Sequence, residues 1–134
     1  MSQYTWRKLF RRLRWDLLDS AERFYYGYWL IWQIPGAFGN RLRARYLSRK
    51  MKAAGSNLTV LAGCRFRSIE KLEVGNNVSI GFDNFFQARG GLVIGNHVAT
   101  APGVKIWTAN HNYDDPDVEV MYQGHTEKPG VTGA

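Results

Sequence analysis

Leu72-Glu-Val-Gly-Asn-Asn-Val-Ser-Ile-Gly-Phe-Asp83, continued by Leu92-Val-Ile-Gly-Asn-His-Val98 and Val104-Lys-Ile-Trp107, decides the fold. Val74, Ile80 and Phe86 stand six residues apart. Ile94, Thr100 and Ile106 repeat that spacing, after a shift of eight across Ala88-Arg-Gly-Gly91. Gly75, Gly81 and Gly95 follow three of these positions, and Ala101 follows a fourth. Four residues after each comes Val78, Asn84, Val98 or Val104. A fixed period of this kind is the mark of a repeat architecture. One residue per hexapeptide points inward and stacks on its equivalents in adjacent coils, and the small residue after it eases the corner. Gly90-Gly91 takes up the two-residue shift. An all-β sandwich with Val-Gly and Ile-Gly turns is the competing reading, but sandwich strands need longer alternating runs.

Upstream the period changes to that of a helix. Trp6, Leu9, Phe10, Leu13, Leu17, Ala21, Phe24, Tyr25, Tyr28 and Ile31 recur at three- and four-residue spacing. This predicts one long amphipathic helix over 4–32, flanked by Arg7, Arg11, Arg12 and Arg14. Pro35-Gly36 ends it. A second helix is expected over 40–53, with Leu42, Tyr46, Leu47 and Met51 on one face. The organisation is therefore a helical segment, 1–55, and a repeat domain, 56–134, carrying a loop at 110–128.

The net charge of +7 belongs to the helical segment. Residues 1–55 hold twelve Lys/Arg against Asp16, Asp19 and Glu22, a net +9; residues 56–134 hold six against eight, a net −2. That asymmetry points to an anionic partner. Two readings stay open: peripheral membrane contact through residues 1–33, or packing of the helices on the chain itself or on neighbouring subunits. Nucleic acid is less favoured, because no recognition motif accompanies the charge. The apolar stretch Phe24–Ile34 is too short to span a bilayer, which takes roughly 20 residues. Trp, Arg and Asp interrupt any early apolar run of the secretory type. With a single cysteine, Cys64, no disulfide framework is possible, and a reducing compartment is expected. The expected location is cytoplasmic, or peripheral on the inner face of the cell membrane. Cys64 reads as a buried structural thiol. Three scattered histidines and one cysteine have no metal-ligand spacing, so no metal is expected.

Val74-Gly-Asn-Asn-Val-Ser-Ile-Gly81, Ala88-Arg-Gly-Gly-Leu-Val-Ile-Gly-Asn-His-Val98, Ala101-Pro-Gly-Val-Lys-Ile-Trp-Thr-Ala-Asn-His111 and Tyr113-Asp-Asp-Pro116 resemble the hexapeptide-repeat acyltransferases. The similarity covers roughly 56–125 and is greatest to the maltose/galactoside and bacterial polysaccharide O-acetyltransferase branch. It implies a mainly β fold, a left-handed parallel β-helix preceded by two amphipathic α-helices. The hand comes from the resemblance alone. The resemblance also implies acetyl-CoA as donor, a sugar or polysaccharide hydroxyl as acceptor, and a homotrimer with sites between neighbours. Family members carry further coils that hold much of the CoA groove. On this reading 1–134 is the front part of such an enzyme, appearing C-terminally truncated, and no donor-binding residue is named within it.

His111 is the candidate catalytic residue. Acyl transfer to a hydroxyl requires removal of its proton, and an imidazole with an ordinary pKa near ~6.5 suits that role. Its position after the hexapeptide register breaks, in a loop, agrees with a site residue. Asp114 and Asp115 could orient His111 or hold sugar hydroxyls, or serve as turn chemistry in Asp-Asp-Pro-Asp. Trp107 could line the cleft or pack. Asn84 and Gln87 break the apolar pattern and could face the acceptor, or sit at a corner. His97 and His125 read as surface residues. The competing function is non-catalytic: an inactive truncated remnant or a membrane-associated binding module.

Overall fold

The computed structural model describes residues 5–112, 114, 116–122 and 124–132. Three helices come first: α1 (Trp6–Leu18), α2 (Ser20–Ile31) and α3 (Gly36–Ser48). The single long helix expected over 4–32 is thus two. Asp19 is extended (φ −78°, ψ 124°), and its carboxylate accepts from the backbone N–H of Ala21 at 2.8 Å and of Glu22 at 3.3 Å. Such an N-cap satisfies amide donors that a new helix leaves orphaned, and Glu22 in the first turn suits the helix dipole. The second helix starts four residues earlier than expected, directly after Pro35, and stops at Ser48. Pro-Gly both terminates α2 and opens α3.

Short parallel strands follow, sorted into three sheets that the chain visits in rotation. The first sheet holds β1 (Ala53–Ala54), β4 (Leu72–Val74), β7 (Leu92–Ile94) and β11 (Gly130–Thr132). The second holds β2 (Thr59–Val60) and β5 (Ser79–Ile80), extended by a parallel bridge from Ser79 to Ala99. The third holds β3 (Arg65–Arg67), β6 (Phe85–Gln87) and β8 (Lys105–Trp107). Glu73 lies opposite Ala53, Ser79 opposite Thr59 and Phe85 opposite Arg65, so one coil takes 20 residues. The expected boundary after residue 55 moves forward, because β1 already pairs within the coils.

That register explains the hexapeptide pattern. Val60 stacks under Ile80, Phe66 under Phe86 and Val74 under Ile94, all buried. The Phe66 and Phe86 rings meet edge to face at 5.8 Å. The small residue after each inward position has a different task from the one expected. A Cβ on Gly55 would come within 2.6 Å of the Gly75 carbonyl carbon, and one on Gly75 within 2.9 Å of Gly95. These glycines let successive coils approach closely. The left-handed turn itself falls two residues later, at Asn57, Asn77 and His97 (φ 56–57°). Asparagine tolerates that conformation better than most side chains. It also links the coils: Asn96 accepts from the Asn76 N–H at 2.7 Å, and Asn57 donates to Asn77 at 2.9 Å. The two extra residues per coil sit at the third corner, at Ala88–Gly91 and also at Ser68–Lys71, which contains a 3₁₀ turn.

Helices α2 and α3 share one core with the coils, through Tyr28, Ala44 and Leu47, joined by Met51 just after α3. Tyr28 donates to the Cys64 carbonyl at 2.7 Å. The fully buried Arg43 donates to the carbonyls of Val60 (3.0 Å), Ile31 (3.1 Å) and Ile34 (2.6 Å) and to Asn40 Oδ1 (2.8 Å). One guanidinium thus ties the end of α2, α3 and the second sheet together. By contrast α1 contributes no buried residue. No helix among the described residues is long and apolar enough to cross a membrane.

Cys64 is fully buried, and its thiol donates to the Gly81 carbonyl at 3.0 Å. Burial pushes the thiol up to about 11. Near neutral pH it is therefore un-ionised, and the thiolate is the reactive form. The native protein is expected to resist iodoacetamide and to label promptly in denaturant. Equal labelling rates in the two states would contradict this burial.

Candidate functional site

The third coil departs from the 20-residue rule. Between β7 and β11 Leu92 pairs with Gly130, 38 residues on, so this coil holds eighteen additional residues. They form a projecting antiparallel hairpin of β9 (Ala109–His111) and β10 (His125–Glu127). Thr108 is its gatepost. It is buried, its hydroxyl donates to the Gln87 carbonyl at 2.9 Å and accepts from the Gly90 N–H at 2.9 Å. Its carbonyl accepts from the Lys128 N–H at 2.8 Å, which fixes the returning chain. Gly90 permits that return, since a Cβ there would stand 2.8 Å from the Lys128 carbonyl oxygen.

A cleft of about 300 Å³ opens at the root of this hairpin. Trp107, His111 and Asp114 line it together, with Asn112, Thr126 and Lys128. Three of the side chains proposed from sequence are thereby brought to one place. Trp107 is half exposed and its ring lies 4.9 Å from that of Phe85. Asp115 lies outside the described residues. His111 is exposed on β9 and pairs directly with His125 on β10. The two imidazoles lie 4.3 Å apart, centre to centre. Sequence reading treated His125 as a surface residue. It is exposed, but its ring also lies against that of His111, and the hairpin register reveals this. Desolvation, the Arg89 guanidinium and His111 itself hold the His125 pKa below its ordinary value. That shift favours the neutral form of His125. Arg89 is engaged by Glu127 at 2.7 Å. Thr126 donates to Asn112 Oδ1 across the hairpin.

Asn84 is corrected as an acceptor contact. It is fully buried at a corner stacked between Cys64 and Val104. Its amide donates to the carbonyls of Phe82 (3.1 Å) and Ala101 (2.8 Å), and its oxygen accepts from the Thr100 hydroxyl at 2.5 Å. Its hydrogen-bonding capacity goes into closing the coil. Gln87 is half-buried in β6, and its side-chain oxygen has no hydrogen-bond partner among the described residues. Among the described residues no three His, Cys, Asp or Glu side chains gather to hold a metal ion. No family model matches this chain, and no curated protein does.

Proposed function

We propose that this chain is an acetyl-CoA-dependent O-acetyltransferase acting on a saccharide or polysaccharide hydroxyl, with His111 as general base. The observation that carries the reading is the cleft shared by Trp107 of the coil with His111 and Asp114 of the hairpin that projects from it. In this reading the coil is a left-handed β-helix. The 20-residue register supports the coil, and the sequence resemblance supports the hand. His111 takes the acceptor proton as the hydroxyl oxygen attacks the thioester carbonyl. Collapse of the tetrahedral intermediate expels the CoA thiolate, which recovers that proton from the imidazolium. A neutral His125 adds no positive charge against a base that must become cationic. Trp107 offers an apolar face for a sugar ring, and Asp114 a carboxylate for its hydroxyls. The cleft is open to solvent, which agrees with closure by a neighbouring copy in a homotrimer.

The test is incubation with labelled acetyl-CoA and a panel of neutral and anionic saccharides, followed by hydroxylamine treatment. Transfer of label into a hydroxylamine-labile ester is expected from a protein that carries the further coils the resemblance implies, and little from residues 1–134 alone. Absence of transfer by that longer protein to every saccharide would return the chain to the non-catalytic reading, a binding module or remnant.

A further inference from the structure

Helix α1 is the part of the molecule whose sequence the fold does not use. None of its thirteen residues is buried, although α2 and α3 both enter the core. Trp6 (77% exposed), Leu9, Phe10 (64%), Leu13 and Leu17 recur at helical spacing and form one apolar stripe. A fold that only needed a solvated leading helix would gain nothing from a tryptophan and a phenylalanine on that stripe. The rest of the surface carries Arg7, Lys8, Arg11, Arg12 and Arg14 against Asp16 alone, with Trp15 and Leu18 also exposed among them. That one carboxylate accepts the Tyr26 hydroxyl at 2.9 Å, and Arg23 donates to the Leu17 carbonyl at 3.3 Å. These two bonds hold α1 against α2 across the break at Asp19.

We propose that α1 docks on an anionic lipid surface, lying in its plane with the apolar stripe among the acyl chains. At 1.5 Å per residue the helix presents a stripe about 20 Å long. The combination of aromatic and aliphatic residues on one side with flanking arginines is what an interfacial helix requires. A second copy is the poorer occupant, because it would bring one arginine-rich flank against another. Nucleic acid would satisfy the arginines but leave the Trp6–Phe10 stripe in water. The inference narrows the surface expected from sequence, residues 1–33, to α1. In α2, Tyr28 and the flanking Phe24 and Ile31 are committed to the core, and the exposed Trp29 and Leu30 stand without the row of flanking arginines that α1 carries. It stands independently of the acetyl-transfer reading.

The experiment is sedimentation of the whole chain with two kinds of vesicle, pure phosphatidylcholine and phosphatidylcholine mixed with phosphatidylglycerol. Binding to the mixed vesicles alone, weakening as salt is raised, is expected. The double variant R7Q/R14Q is expected to bind about thirtyfold more weakly, at roughly fivefold for each arginine. W6S/F10S is expected to lose most of the binding. Both variants should unfold at the temperature of the parent, since α1 buries nothing. Equal binding to both vesicle types, or undiminished binding by W6S/F10S, would overturn the proposal. So would association with duplex DNA while the vesicles stay bare. So would a parent oligomer that W6S/F10S dissolves without any vesicle binding having been seen.

Discussion

In a protein that carries the further coils, replacing His111 by alanine is expected to lower kcat for acetyl transfer by about 10²-fold or more, the loss typical of a placed general base. The KM for acetyl-CoA should change little, because the imidazole acts on the acceptor proton in the transition state rather than on the bound donor. The fold is not expected to suffer. His111 is exposed, and the pairing that holds its hairpin runs through backbone and through Thr108, Asn112 and Thr126. Circular dichroism of the variant should therefore match that of the parent. Steady-state kinetics decide the point. An H111A protein that keeps most of its kcat would assign the base elsewhere, with Asp114 and Asp115 next to be replaced.

The second large effect is on stability. Arg43→Ala removes four hydrogen bonds at once and leaves the carbonyls of Val60, Ile31 and Ile34 facing a cavity. Each buried acceptor left unpaired costs about 1–3 kcal/mol, and partial access of water to the cavity reduces the sum. A loss of about 3–4 kcal/mol is expected, a large share of a stability that in most domains is only about 5–15 kcal/mol. Arg43→Lys should fall between the two, since an ammonium has three donors and no planar fork. Urea unfolding measures both. A midpoint unchanged in R43A would show that α2 and α3 are held by their apolar contacts alone.

The coils were legible because most inward residues are apolar and their spacing is fixed by the geometry of a turn. The first coil was harder to see. Ala53-Ala54, Thr59-Val60 and Arg65-Phe-Arg67 lack the Ile-Gly-Asn signature and reveal themselves only by pairing 20 residues ahead. The break at Asp19 is hidden by the apolar stripe, which runs on in phase through Leu17, Ala21 and Phe24. The cap was written in Asp19 and Glu22, and periodicity does not register a cap. Arg43 is only one of twelve basic residues when 1–55 is read as sequence, because the acceptors that solvate it come from other elements. Asn84 misled by its chemistry, although its register, shared with Val78, Val98 and Val104, is an inward one. His111 and Trp107 were legible through the break in the repeat. Their company with His125 was not, since hairpin register depends on how residues 109–127 close on themselves.

The closure at Thr108 and Lys128 separates the economy of the loop from that of the scaffold. The hairpin leaves and re-enters the coil at adjacent points, so β11 continues the first sheet as though the eighteen residues were absent. Lengthening a loop whose ends are already pinned is thermodynamically mild, about 0.6 kcal/mol for each doubling. Residues 109–127 can thus change in length and composition while Leu92 still faces Gly130. A lineage built on this coil is free to exchange one hairpin for another without refolding the body that carries it.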